Sequence, residues 1–253
     1  MQSSLDGRLA LIIGGSGAIG AATARLFAGA GARVVVTHTA RSAASAVALA
    51  ESLPGADNLA LPADVADTAS LLALRDAVRG RCGQTLHVLV NAAGFTKPVP
   101  HADLDALDDE LIDRMFAINW RSQFAAIRTF APMLKASGDG LIISISSIAG
   151  QTGIGSSIAY CAVKAGIDVM TKSLARALAP EIRVMGVAPG VVDTHFVRGR
   201  GAEFNTKTAA TTPLRRVALP EDVAAAVLAC ATSLRFSTGT TVVVDGGRSL
   251  GGL

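Results

Sequence analysis

Seven short runs of β-branched and leucine-rich residues recur along the chain, at 8–13 (RLALII), 32–37 (ARVVVT), 58–61 (NLAL), 86–90 (LHVLV), 140–145 (GLIISI), 182–187 (IRVMGV) and 240–244 (TTVVV). They are apolar almost without interruption and lack the alternation of a half-solvated sheet, which predicts strands buried on both faces. Between them lie alanine-rich stretches with helical spacing of apolar positions, predicting helices over 18–29, 41–53, 67–80, 105–135, 157–178 and 221–231. Strict alternation of the two patterns predicts an α/β fold. Right-handed crossovers then give a doubly wound, seven-stranded parallel sheet with helices on both faces. No composition shift or Pro/Ser-rich linker interrupts the rhythm, so residues 1–253 are expected to form a single domain. One segment departs from it: 191–216 is polar, aperiodic and carries RGRGAEF and a threonine cluster, which predicts a long loop acting as a substrate lid.

Composition narrows the classes open to such a fold. Half of the 253 residues are hydrophobic and 17% are charged, enough for a large buried core. The 23 basic and 20 acidic residues are dispersed, with a net charge of +3 and 4% aromatics, so no nucleic-acid face is expected. Apolar runs such as Val223 to Ala231 stay below the roughly 18 residues of a membrane span, and none is expected. The opening MQSSLDGRLALII has no basic leader region, so no secretion signal is expected. Cys82, Cys161 and Cys230 form no C-x-x-C pattern and suit a reducing cytoplasm, and the four histidines make no H-x-x-x-H pair; no metal site is expected.

The candidate chemistry begins at LIIGGSGAIG, where Gly14, Gly15, Gly17 and Gly20 follow the first strand and open the first helix. Glycines there let a backbone turn tightly against a pyrophosphate while N–H groups at the helix start supply positive potential; a plain strand-to-helix turn is the alternative. The second strand ends in VVVTHTAR, without the acidic residue that commonly receives an adenosine ribose. His38, Thr39 and Arg41 leave room for a 2′-phosphate, so NADP(H) is preferred, with NAD(H) still open. Asp64 in PADV is placed for the adenine amino group, or equally as an N-cap of the helix over 67–80. Tyr160, the one tyrosine of the chain, stands four residues before Lys164 in YCAVK. On a helix that spacing puts both on one face. A phenol with a pKa of about 10 becomes useful for proton transfer near neutrality when a cation favours its phenolate. A half-buried tyrosine beside a snorkelling lysine is the alternative reading. Ser146 and Ser147 end the fifth predicted strand at the carboxyl edge, where ligands of open α/β sheets bind.

Across its whole length the chain resembles the short-chain dehydrogenase/reductase family, a Rossmann-type fold. The matching stretches are GGSGAIG, NAAG (91–94), Asn119 in INW, Ser147, YCAVK, APGVVDT (188–194) and TGTTVVVDGG (238–247). The resemblance implies an oxidoreductase passing a hydride between a nicotinamide dinucleotide and a small carbonyl or secondary-alcohol substrate. It implies Tyr160 as general acid and base, Ser147 on the substrate oxygen, Lys164 on the nicotinamide ribose and Asn119 holding a water that links Lys164 to solvent. The implied cofactor contacts are Gly14, Ser16, Ile19 and Gly20 in the loop, Thr39 and Arg41, Asp64 and Val65, Asn91 and Gly94, and Pro189, Gly190, Val192 and Thr194 around the nicotinamide. The pocket is expected between Phe95 and Thr96, GQTGIGSS (150–157), and a lid with His195 and Phe196, with Arg198 and Arg200 the candidate cations. Some positions depart from the family pattern: Ile13 for threonine, Ala18 for a loop glycine, Met185 for asparagine, and Gly17 where many NADPH-using members carry a basic residue. The general layout is similar to 3-oxoacyl-carrier-protein reductases, although Arg121, Arg128 and Lys135 are sparse for docking an acidic carrier. The resemblance further implies a homotetramer packed through 105–135 and 157–178. An NAD-linked dehydrogenase of a secondary alcohol or sugar is the second reading, and a dinucleotide-sensing protein without turnover the third.

Overall fold

Side chains of the first strand, Leu9–Ile13 (β1), alternate between two separate apolar clusters and are all buried. Ala10 and Ile12 join one cluster, while Leu9, Leu11 and Ile13 join the other. This is how a strand with helices on both sides must look, and it explains the missing polar alternation. In a computed structural model, which describes residues 4–194, 196, 197, 199 and 201–251, the remaining strands are Arg33–His38 (β2), Leu59–Pro62 (β3), Val88–Asn91 (β4), Gly140–Ile145 (β5), Ile182–Pro189 (β6) and Thr241–Val244 (β7). All pair in parallel in the order β3-β2-β1-β4-β5-β6-β7. Every strand expected from the sequence is present, within two residues at each end.

The helices are Ala18–Gly29 (α1), Ala43–Ser52 (α2), Thr68–Cys82 (α3), Asp109–Phe116 (α4), Ser122–Ala136 (α5), Ala149–Thr152 (α6), Ile158–Leu178 (α7), Ala202–Thr211 (α8) and Pro220–Thr232 (α9). Helices α1, α2 and α9 cover one face of the sheet and α3, α5 and α7 the other. Burial of each large side chain such as Phe27 or Phe130 contributes roughly 1.5–3 kcal/mol. The chain runs outward from β1 to β3, returns, and continues from β4 to β7. The order therefore reverses between β1 and β4, which opens a crevice above their carboxyl ends.

Two expected elements are corrected. The helix read over 105–135 starts only at Asp109, because Asp108 accepts the Leu111 N–H at 2.7 Å and caps it. It is then broken by a π-helical turn at Ala117–Arg121. The segment 191–216 is not one loop: it contains α8, whose single buried residue, Thr208, explains the absent period. His195, Arg198 and Arg200 lie outside the described residues.

Candidate active site

The turn after β1 closes tightly on its surroundings. Gly14 has φ +79°, and a Cβ on it would come within 2.5 Å of the Ala93 nitrogen just beyond β4. A Cβ on Gly20 would meet the Gly14 carbonyl oxygen at 2.3 Å. Glycine is therefore required at both positions, and the first residues of α1, Ala18, Ile19 and Gly20, line the crevice. The Thr37 hydroxyl accepts the Gly14 N–H at 3.0 Å and ties the loop to β2. Ser16 donates to the Ser42 hydroxyl at 3.1 Å, and Ser42 accepts the Thr39 N–H at 3.2 Å. Thr39 and Ser16 are thus gathered around Ser42, with Arg41 exposed and adjacent in the chain; sequence reasoning missed Ser42 because its partner lies 26 positions away.

At the ends of β3 and β4 the picture is mixed. Asp64 is exposed, and its Oδ1 accepts the Ala66 N–H at 2.9 Å. The α3 cap is Asp67, which accepts the Ala69 N–H at 2.9 Å, so the N-cap alternative for Asp64 falls. Val65 packs against the core. Asn91 is buried with no hydrogen-bond partner for either side-chain atom among the described residues. Gly94 stands at the mouth of the crevice, where a Cβ would lie 3.1 Å from the Asn119 Oδ1. Asn119 occupies the π-helical turn, fully buried, and donates to the Phe95 and Met115 carbonyls at 2.9 Å each while accepting the Phe95 N–H at 3.0 Å.

Tyr160 and Lys164 share one face of α7, as their spacing predicts. Ser157 caps that helix by accepting the Tyr160 N–H at 3.1 Å, so the cap fixes the backbone of the tyrosine itself. Gly150 allows α6 to sit on α7, since a Cβ there would come within 2.5 Å of the Ala165 nitrogen. Lys164 is 4% exposed, donates to the Ile145 carbonyl at 2.8 Å and places Nζ 5.6 Å from the centre of the Tyr160 ring. Burial pushes its ammonium down to about 8, partly opposed by Asp168 one turn further along. Ser147, at the end of β5, accepts the Ala149 N–H at 3.2 Å.

A cavity of about 1140 Å³ joins these parts. Ser147, Tyr160 and Lys164 line it together with Gly17 of the loop, Ile19 and Gly20 of α1, Gly94, and Pro189, Gly190, Val192 and Thr194 at and beyond the end of β6. Gly14, Ser16, Thr39, Arg41, Asp64, Val65, Asn91 and Asn119 lie outside its lining. Gln151, Ile154 and Phe196 line it as expected, and the Phe196 ring is 6.3 Å from that of Tyr160. Phe95 and Thr96 do not. Phe95 turns beneath Arg114, whose guanidinium carbon is 4.3 Å from its ring centre, and Thr96 is hydrogen-bonded to Ser156. Arg248, Asn205 and Ser249 also line the cavity and had no signal in the sequence.

Comparison with known proteins decides the family. A family model described as Enoyl-(Acyl carrier protein) reductase matches residues 14–249. A protein of Streptomyces violaceoruber assigned as ketoacyl reductase 2 of the granaticin polyketide synthase is 39% identical, with 96% of each chain covered. The cis-4-hydroxycyclohexanecarboxylate dehydrogenase of Sinomonas cyclohexanicum is 38% identical, with 98% of each covered. The structure of a short-chain type dehydrogenase/reductase from Mycobacterium ulcerans superposes with a TM-score of 0.89 at 28% identity, covering 98% of this chain and 92% of that one. The chain belongs to the short-chain dehydrogenase/reductase family. As a short-chain dehydrogenase/reductase it is an oxidoreductase of alcohol and ketone substrates that uses NAD(P)(H). Among the described residues, no helix of this family member is long and apolar enough to cross a membrane.

Proposed function

We propose that the chain is an NADP(H)-dependent carbonyl reductase and secondary-alcohol dehydrogenase with Tyr160 as its general acid and base. One observation carries this reading: Ser147, Tyr160 and Lys164 line the same cavity as the glycine loop and the Pro189–Thr194 stretch. The residues fit a dinucleotide. Gly17, Ala18, Ile19 and Gly20, where the glycine loop passes into α1, line the cavity, and its volume exceeds that of an ordinary small-molecule site. Bound there, the nicotinamide supplies or accepts the hydride.

The chain's own groups manage the proton. In reduction the Tyr160 hydroxyl gives its hydrogen to the carbonyl oxygen while Ser147 donates a hydrogen bond to that oxygen; in oxidation the transfers reverse. The Lys164 ammonium stabilises the negative charge that develops on the phenol oxygen and would also hold the nicotinamide ribose. Asn119 shapes the wall behind Gly94, and Thr194 would fix the carboxamide. The NADP(H) preference rests on the Ser16, Thr39, Arg41 and Ser42 group, which offers hydroxyls and a guanidinium to a 2′-phosphate and no carboxylate to repel it. The relatives described as acting on ketoacyl or hydroxycyclohexanecarboxylate substrates support a ketone, or its alcohol, that also bears an acyl or carboxyl function. Residues 191–216 form the lid over it, and the oligomer is a homotetramer.

The test is loss of nicotinamide absorbance with NADPH and a ketone panel. Tyr160→Phe should lower kcat by about 10³-fold, within the range for loss of a positioned acid. Arg41→Ala should weaken NADPH binding about tenfold and leave NADH binding as it is. Equal affinities in the wild type would favour the NAD-linked dehydrogenase.

A further inference from the structure

Arg248 begins a short 3₁₀ turn, Arg248–Leu250, which follows β7 after residues 245–247. The turn is held in place by Asp245, which accepts the Gly247 N–H at 2.8 Å and the Ser249 N–H at 2.7 Å, so this carboxylate is occupied by backbone. The arginine itself reaches the carboxyl end of α8. Its Nη1 faces the Thr211 hydroxyl at 3.2 Å and the Thr208 carbonyl and Thr212 hydroxyl at 3.5 Å. These are long contacts, and all use one nitrogen. Among the described residues Nε and Nη2 engage no acceptor, and no carboxylate forms an ion pair with the guanidinium. A guanidinium has five N–H donors in a planar fork suited to a carboxylate.

The surroundings point the same way. The described lining of the large cavity contains two cations, Lys164 and Arg248, and no aspartate or glutamate. Lys164 is committed to the Ile145 carbonyl and the tyrosine. Ile154, Phe196, Val197 and Phe204 give the cavity apolar lining, while Asn205, Thr211 and Ser249 add uncharged polar groups, Thr211 in contact with the arginine. An apolar body carrying one anionic end matches this lining, and exclusion of water by the apolar wall strengthens a charge-assisted pair.

We propose that Arg248 recognises the substrate, and that the substrate carries a carboxylate in addition to the carbonyl or hydroxyl that reacts. The proposal rests on the reading of the cavity as a carbonyl-reductase site and extends it to substrate class. Arg248 is a specificity-determining residue here, with the lid helix α8 as its second partner.

The experiment uses the full-length enzyme, NADPH, and a series of oxo acids from acetoacetate to 6-oxoheptanoate, each paired with its methyl ester. At least one acid should exceed its ester about tenfold in kcat/KM. Arg248→Met should lower kcat/KM for that acid at least tenfold more than for the ester, through KM, and Arg248→Lys should restore part of the difference. Equal losses on acid and ester would make Arg248 only a clamp on α8. A raised dinucleotide KM with the acid preference intact would make it a cofactor-phosphate ligand. Either result overturns the proposal, as does a wild type that prefers the esters. Calorimetric titration of the acids onto the enzyme–dinucleotide complex separates the two levels of inference. Arg248-dependent binding without turnover of any ketone keeps the anion site and removes the reductase reading. Turnover without any preference for the acids does the reverse.

Discussion

Lys164 shows how function and stability compete within one side chain. Its Nζ is buried beside Tyr160, so desolvation lowers its pKa from 10.5 to about 8, opposed in part by the negative charge of Asp168; its hydrogen bond goes to the Ile145 carbonyl. The unfolded chain therefore holds this proton up to pH 10.5 while the folded chain releases it near 8. Folding is accordingly penalised in full below pH 8, and stability rises as pH increases between the two values. A shift of this size corresponds to about 3 kcal/mol, offset by about 1 kcal/mol for the bond to Ile145. Lys164→Met should thus raise the apparent Tm of the cofactor-free protein at pH 7 by about 4 °C, with the gap to wild type narrowing toward pH 10. It should also cost activity of the same order as Tyr160→Phe. Thermal melts at the two pH values check the first part, and a Tm that falls at pH 7 would refute it. In the wild type, kcat/KM for reduction should decline above pH about 8 as the ammonium titrates and its field at the phenol is lost.

At the scale of elements, the π-helical turn between α4 and α5 positions the loop that follows β4. Asn119 bonds in both directions with Phe95 and also takes the Met115 carbonyl, so one side chain satisfies three backbone groups. Asn119→Ala would leave them unpaired at a cost of about 2–3 kcal/mol, and the Tm should fall by about 6 °C. Because Gly94 abuts Asn119, cofactor affinity should fall as well; calorimetry with the dinucleotide measures it. The sequence contained Asn119 but not the π turn, since a single inserted residue barely disturbs an apolar period. Buried parallel strands, by contrast, were legible throughout, because both faces demand apolar residues and the signal is dense. The pairing of Tyr160 with Lys164 was legible from local spacing. Ser42 and Arg248 were not, because the atoms that give them meaning, on Ser16 and on α8, lie 26 or more positions away. Helix α8 escaped for a third reason, since a helix with one buried residue leaves no hydrophobic stripe to read.

Over the whole molecule, apolar side chains that the core does not use gather where α4, the π turn, α5 and α7 meet. Trp120 and Phe124 stack with ring centres 5.9 Å apart, and Gly166 admits the Trp120 indole against α7. Phe116 on α4, Phe124 on α5 and Ile158 and Val169 on α7 remain exposed, Val169 at 61%. Large contiguous apolar patches on a soluble protein mark association sites, and burial against a symmetry mate would return the transfer free energy left unclaimed in the single chain. Tyr160 and Lys164 ride on the same helix, so contact with a second copy would also brace the proposed site. Light scattering should give a mass four times that of the chain. Val169→Glu, which places an uncompensated charge on the contact, should yield a smaller species with a lower Tm and a reduced kcat. A wild type that elutes as a monomer with full activity would show instead that α7 needs no partner to hold Tyr160 and Lys164 in register.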